Sequence, residues 1–144
     1  MNNLNNKRII ALDLGSKTLG IAVSDPLLII AKPYKTLRFE EDDYDKCLNL
    51  LLEEIKIIKP LKIILGLPKH MNNDIGIRGN ISIDFSNKIK EKINIEVILQ
   101  DERLTSKQAD NLMIEGNLKR KERSKKSDEV AACLILQDYL DKIN

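Results

Sequence analysis

RIIALDLGSKTLGIAVSD, Arg8 to Asp25, consists of two apolar runs separated by a short polar turn. The first run, Arg8 to Gly15, is continuous and closes on a glycine; the second, Leu19 to Asp25, begins after Ser16, Lys17 and Thr18. Apolar runs of this length, bounded by turn residues, read as a β-hairpin. A third extended segment, Ile29 to Phe39, contains Pro33, which has no N–H to give to a ladder and is tolerated best on an edge strand. The period then changes. Leu48, Leu51, Leu52, Ile55 and Ile58 recur at helical spacing, and Pro60 stops the pattern.

Leu61 to Gly66 is short and apolar throughout, a strand covered on both faces, and it breaks at Gly66 and Pro68 into a polar loop running to Asn80. Ile81 to Lys92 fits a helix and Ile93 to Gln100 a further strand, so strands and helices alternate as in parallel strands joined by crossover helices. Thr105 with Gln108 has the form of a capping box, opening a helix that closes at Gly116. A basic run follows as a linker, and Ser127 caps a last helix with Val130, Ala131, Leu134 and Leu140 on or beside one face. The expected architecture is one α/β domain over residues 1–144, with a mixed sheet that starts as an antiparallel hairpin and continues with parallel strands.

Composition narrows the function. The 144 residues are 42% hydrophobic and 3% aromatic, so the core is aliphatic. Two cysteines, Cys47 and Cys133, with the single histidine His70, cannot supply the four ligands of a structural zinc site, and two are too few for a disulfide framework. No stretch approaches the roughly 18 apolar residues of a membrane span, and the polar start lacks an apolar signal core, so a reducing cytoplasm is the expected location. A net charge of +2 excludes a uniformly basic coat; the positive charge is instead local, in Lys119, Arg120, Lys121, Arg123, Lys125 and Lys126.

Three apolar strands end in polar breaks, at Asp13 to Gly15, Gly66 to Pro68 and Asp101 to Arg103. If these strands run parallel the breaks share one edge, and open α/β sheets bind ligands outside the carboxyl ends of their strands. That edge would carry Asp13 and the pair Asp101 and Glu102. Asp128 would reach it from the last helix, which small Ala131 and Ala132 let lie close to the sheet. Convergent carboxylates repel one another unless a cation neutralises them, and hard oxygen ligands select Mg²⁺ or Mn²⁺. Two such ions about 3.5 to 4 Å apart can activate a water and stabilise the departing oxygen of a phosphodiester. An adjacent basic run would hold the phosphate backbone. The combination points to a nuclease with Asp13, Glu102 and Asp128 as catalytic residues and Asp13, Asp101, Glu102 and Asp128 as candidate metal ligands. Lys17, Arg103, Lys119, Arg120, Lys121, Lys125 and Lys126 are its candidate nucleic-acid contacts.

Each of these residues also has a structural reading. Asp13 could be a turn aspartate, Asp128 and Glu129 could complement a helix dipole, and Glu102 with Arg103 could be a surface ion pair. Two further functions compete. DLGSKT before a second strand resembles the phosphate hairpin of actin- and Hsp70-like ATPases, but those enclose nucleotide between two domains and a second such hairpin is not visible. A non-catalytic RNA-binding module is the other rival, although so few aromatics leave little platform for stacking bases.

ALDLGSKTLGIAVSD (Ala11 to Asp25), ILGLPKHMNNDIGIRG (Ile64 to Gly79), DERLTSKQA (Asp101 to Ala109) and SDEVAACLILQDYL (Ser127 to Leu140) together resemble the YqgF family, also called RuvX, of ribonuclease-H-like nucleases. The resemblance implies a ribonuclease-H-like sheet of five strands, three antiparallel and two further parallel ones, and a metal-dependent phosphodiesterase site. Its acidic positions map onto Asp13, the Asp101–Glu102 pair with Glu102 favoured as ligand, and Asp128. It implies maturation of the 5′ end of pre-16S rRNA, with structured RNA and pre-ribosomal particles as partners. Holliday junction resolution on branched DNA is the alternative. A resolvase requires a homodimer for symmetric cuts, whereas end trimming is open to a monomer. The chain departs from the family in the loop Lys69 to Asn73, where Asn73 stands in place of a turn glycine.

Overall fold

The computed structural model describes residues 7–68, 76–101 and 120–144, with the side chains of the last segment described from Asp128 onward. The hairpin is present as β1 (Ile9–Leu14) and β2 (Thr18–Ser24), followed by β3 (Ala31–Arg38) and α1 (Tyr44–Ile58). Then come β4 (Lys62–Leu67), α2 (Gly76–Lys92), β5 (Glu96–Asp101) and α3 (Arg120–Ile143). The five strands form one sheet in the order β3-β2-β1-β4-β5. β1 pairs antiparallel with β2 and β2 with β3, while β4 pairs parallel with β1 and β5 with β4. This is the mixed sheet expected, with Pro33 on the edge strand, the place in a sheet that best tolerates a residue without an N–H.

Alternation along the strands divides the core in two. Ile10, Leu12, Leu14, Leu19, Ile21, Ile63 and Leu65 pack with Leu51 and Ile55 of α1 and Phe85 and Ile89 of α2. Ile9, Ala11, Ala22 and Ile64 pack on the opposite face with Ala132, Ile135, Leu136 and Leu140 of α3. α1 is opened by Asp43, whose carboxylate accepts from Lys46 N at 3.2 Å, and ends at Lys59 in the left-handed conformation just before Pro60. A bulge between Ile21 and Ala22 leaves Tyr34 as the extra residue of β3. Consecutive side chains, which a regular strand sends to opposite faces, therefore meet one partner: Tyr34 Oη and Lys35 Nζ each donate to the Glu54 carboxylate of α1 at 2.8 Å.

Two helices begin earlier than their patterns suggest. α2 starts at Gly76 rather than Ile81, so part of the expected loop is helix, with Gly79 buried in its second turn. The last helix starts at Arg120, and the basic run is therefore helical over Arg120 to Ser127 rather than a linker capped by Ser127. The reason lies in propensity. Lys, Arg and Glu form helices readily even where the segment offers little apolar period to reveal it. The helix expected over Thr105 to Gly116 lies outside the described residues, as do His70 and the Lys69 to Asn73 loop.

Candidate active site

β1, β4 and β5 are parallel neighbours, so the ends of these strands do share one edge. Asp13 lies next to the end of β1. Ile10, Leu12 and Leu14 point into the α1/α2 core and Ile9 and Ala11 into the α3 core, so Asp13 stands on the α3 face, half-buried.

Directly opposite Asp13 in the antiparallel ladder is Gly20. A Cβ built on Gly20 would overlap the carbonyl oxygen of Asp128 and come within 3.1 Å of Asp128 Cβ. The helix is thus seated on the strand at the position where a side chain is missing, and Asp128 arrives beside the strand partner of Asp13. Opposed residues in an antiparallel pair have Cβ positions about 5 Å apart, which puts the Cβ atoms of Asp13 and Asp128 in one small region of the α3 face. Gly20 is the component that motif reading passed over, although an isolated glycine inside a strand pattern is the known signal for close backbone approach.

α3 runs back across the sheet from this edge. Gln100 Nε2 donates to Ile135 O at 2.7 Å, Gln137 Oε1 accepts from Ala31 N at 2.9 Å, and Asn144 Nδ2 donates to Leu28 O at 2.8 Å. Because Asp128 is the ninth residue of α3, the preceding eight add about 12 Å of helix on its active-edge side. Arg120, Lys121, Lys125 and Lys126 are carried there with Arg123. Asp128 is also too deep in the helix to act as a dipole counter-charge, an effect confined to the first turn.

The β1–β2 turn that bears exposed Lys17 is fixed from several sides. Gly15 N donates to Thr18 O at 2.7 Å, Asp42 N to Ser16 O at 2.7 Å and Phe39 N to Lys17 O at 2.9 Å. Arg78 of α2 donates to Leu14 O at 3.3 Å and to Tyr44 Oη at 3.2 Å, and Tyr44 in turn donates to Asp42 Oδ1 at 3.2 Å. Arg78, also outside the first set of site residues, is therefore a brace for the end of β1.

Asp101 closes β5 and is exposed. Its strand places Ile98 in the α3 core and Gln100 against α3, and Val97 and Leu99 with the α1/α2 core, so Asp101 takes the face opposite Asp13. The structure brings together Asp13 and Asp128 and leaves Asp101 at the same edge on the other face. Glu102, Arg103 and Lys119 lie outside the described residues. Among the described residues no group of three or more His, Cys, Asp or Glu side chains forms a metal-holding cluster. Cys47 lies on the buried face of α1, and burial pushes its thiol up to about 12; burial also raises the thiol of Cys133. Both cysteines are packing groups, in keeping with their place in the sequence pattern. Among the described residues no helix is long and apolar enough to cross a membrane.

The RuvX family model, described as Holliday junction resolvase, matches residues 7–142. The chain belongs to the RuvX family. Among its RuvX relatives, a protein of Lactococcus lactis subsp. cremoris (strain MG1363) named "Putative pre-16S rRNA nuclease" is 47% identical over 134 residues, covering 93% of this chain and 94% of the relative. A protein of the same name from Bacillus subtilis (strain 168) is 42% identical over 137 residues, covering 95% and 99%. The chain is accordingly a member of a nuclease family, a hydrolase of phosphodiester bonds. Among solved structures, Thermus thermophilus RuvC in complex with a Holliday junction substrate superposes with a TM-score of 0.60 at 15% identity, covering 96% of each chain. The fowlpox virus Holliday junction resolvase gives 0.60 at 17% identity, covering 94% and 99%. At these identities the likeness shows the fold, which is the ribonuclease-H-like sheet of the resolvases.

Proposed function

We propose that this RuvX-family chain is a divalent-metal-dependent nuclease that matures the 5′ end of pre-16S rRNA, with Asp13, Glu102 and Asp128 as its catalytic carboxylates. The observation that carries the site is the seating of Asp128 on Gly20, beside the strand partner of Asp13. Two carboxylates concentrated on one face without neutralisation are unfavourable, and an all-oxygen donor set suits Mg²⁺ or Mn²⁺. Glu102 is preferred to Asp101 as the third ligand because Asp101 faces the other way, and Asp101 is its neighbour. Two ions held there would activate the attacking water and stabilise the departing oxygen. The protein's own task is to hold those carboxylates on a rigid strand and a closely packed helix, and to grip the substrate. Lys17 on the braced turn, Arg103 and the basic stretch from Lys119 to Lys126 would hold backbone phosphates. The substrate assignment rests on the names of the relatives, and the partners it implies are structured RNA and pre-ribosomal particles.

The family description favours a second reading, resolution of four-way DNA by a homodimer. Both are tested by incubating purified protein and Mg²⁺ or Mn²⁺ with a labelled 5′-extended 16S rRNA precursor and a synthetic four-way junction, with Asp13→Asn as the contamination control. Cleavage of the RNA alone is expected. Symmetric cutting of the junction alone would replace rRNA maturation with resolution, and activity equal to that of the variant on both substrates would leave a binding or assembly factor.

A further inference from the structure

The active edge carries a cation that none of the motifs includes. Arg38 is the last residue of β3 and lies opposite Thr18. Two residues earlier, Thr36 lies opposite Gly20 and donates its hydroxyl to Glu129 of α3 at 3.1 Å, whereas the intervening Leu37 is buried in the α1/α2 core. Alternation therefore turns Arg38 to the α3 face, the face of Asp13, at the same edge of the sheet. Only β2 separates β3 from β1, so the two backbones are about 10 Å apart.

The side chain of Arg38 is exposed and makes no hydrogen bond or ion pair among the described residues, and the same holds for the side chain of Lys17 in the neighbouring turn. Two other basic residues are already paired, Lys35 with Glu54 at 2.8 Å and Lys88 with Asp45 at 3.2 Å. A solvent-facing cation on an edge strand also discourages sheet-to-sheet pairing. That role needs neither the Asp13 face nor the active edge, and Pro33 with exposed Lys32 already serves it at the other end of β3.

Resting on the nuclease reading above, we propose that Arg38, with Lys17 beside it, binds a backbone phosphate of the nucleic acid away from the scissile bond. The substrate strand then crosses β2 from Asp13 toward the β3 edge. A guanidinium suits this task because its planar fork can give two parallel hydrogen bonds to one phosphate, and a strand position holds it with little freedom to lose.

The test measures equilibrium binding of the Asp13→Asn protein, which leaves substrate intact, to the 5′-extended 16S rRNA precursor and to the four-way junction over a range of salt. Adding Arg38→Ala is expected to weaken binding and to reduce the slope of log K against log salt by about one. Arg38→Lys is expected to keep most of the slope. Lys32→Ala removes the same charge from the far end of the same strand and is expected to leave it unchanged. Thermal midpoints of all variants should match, since both side chains are exposed. Loss of slope on the RNA, the junction or both supports the site and identifies the backbone it reads. An unchanged slope in Arg38→Ala, or an equal loss in Lys32→Ala, overturns it while leaving the nuclease reading intact. Absence of binding by the parent to either substrate overturns both.

Discussion

On one face of the sheet, Ile10, Leu12, Ile63 and Leu65 meet α1 and α2 through large aliphatic side chains; on the other, Ala11, Gly20 and Ala22, beside Ile9 and Ile64, let α3 lie closer over β1 and β2. The thick face removes the greater apolar area from water and so contributes most to stability. The thin face contributes geometry: small residues admit the helix backbone to the strand, and that approach brings Asp128 beside Asp13. On the proposed nuclease reading, a single sheet separates what holds the molecule together from what arranges its chemistry.

The comparison can be broken most severely at the carboxylates. Asp128→Asn is expected to cost several kcal/mol of barrier, about a thousandfold in cleavage rate, with the melting transition retained; cleavage assays beside thermal unfolding check it. Leu65→Ala, on the thick face, should lower stability by about 2 to 5 kcal/mol in denaturant titrations while the rate per folded molecule persists. Gly20→Ala should cost about 1 to 3 kcal/mol through overpacking, and unlike Leu65→Ala it should also slow cleavage by folded protein, because the atom that must move belongs to Asp128. Equal activity of those two variants per folded molecule would erase the distinction between the faces.

The smallest effect concerns the edge of the thick face. Lys35, and secondarily Tyr34, hold the Glu54 carboxyl below its ordinary value of 4.5. A depressed folded-state value means that this contribution is fully present above the ordinary glutamate range and is lost as pH falls below it, between about pH 5 and the lowered value. Glu54→Gln should therefore flatten the acid limb of a melting-temperature profile slightly, and an unaltered limb would show that the bulge network adds nothing.

Much of this was legible in the residues. Continuous apolar runs ending at Gly15, Gly66 and Gln100 reveal the strands, and the parallel order follows from their alternation with helices. What was not legible depends on register. Asp101 and Glu102 are adjacent letters, and only the placement of Ile98 and Gln100 against α3 shows which way Asp101 turns. The start of α3 is hidden because Arg120 to Lys126 is strongly helix-forming but almost without apolar period. Arg38 escapes a motif search altogether, because its relation to Asp13 runs through two strand pairings rather than through the chain.

The most direct measurement is Mn²⁺ binding, by calorimetry or electron paramagnetic resonance, to the wild-type protein, Asp13→Asn, Asp128→Asn and the double variant. If both carboxylates hold a shared cation site, each single substitution weakens binding and the double variant loses little more than either one. Wild-type Mn²⁺ affinity in either single variant would contradict the site on the thin face.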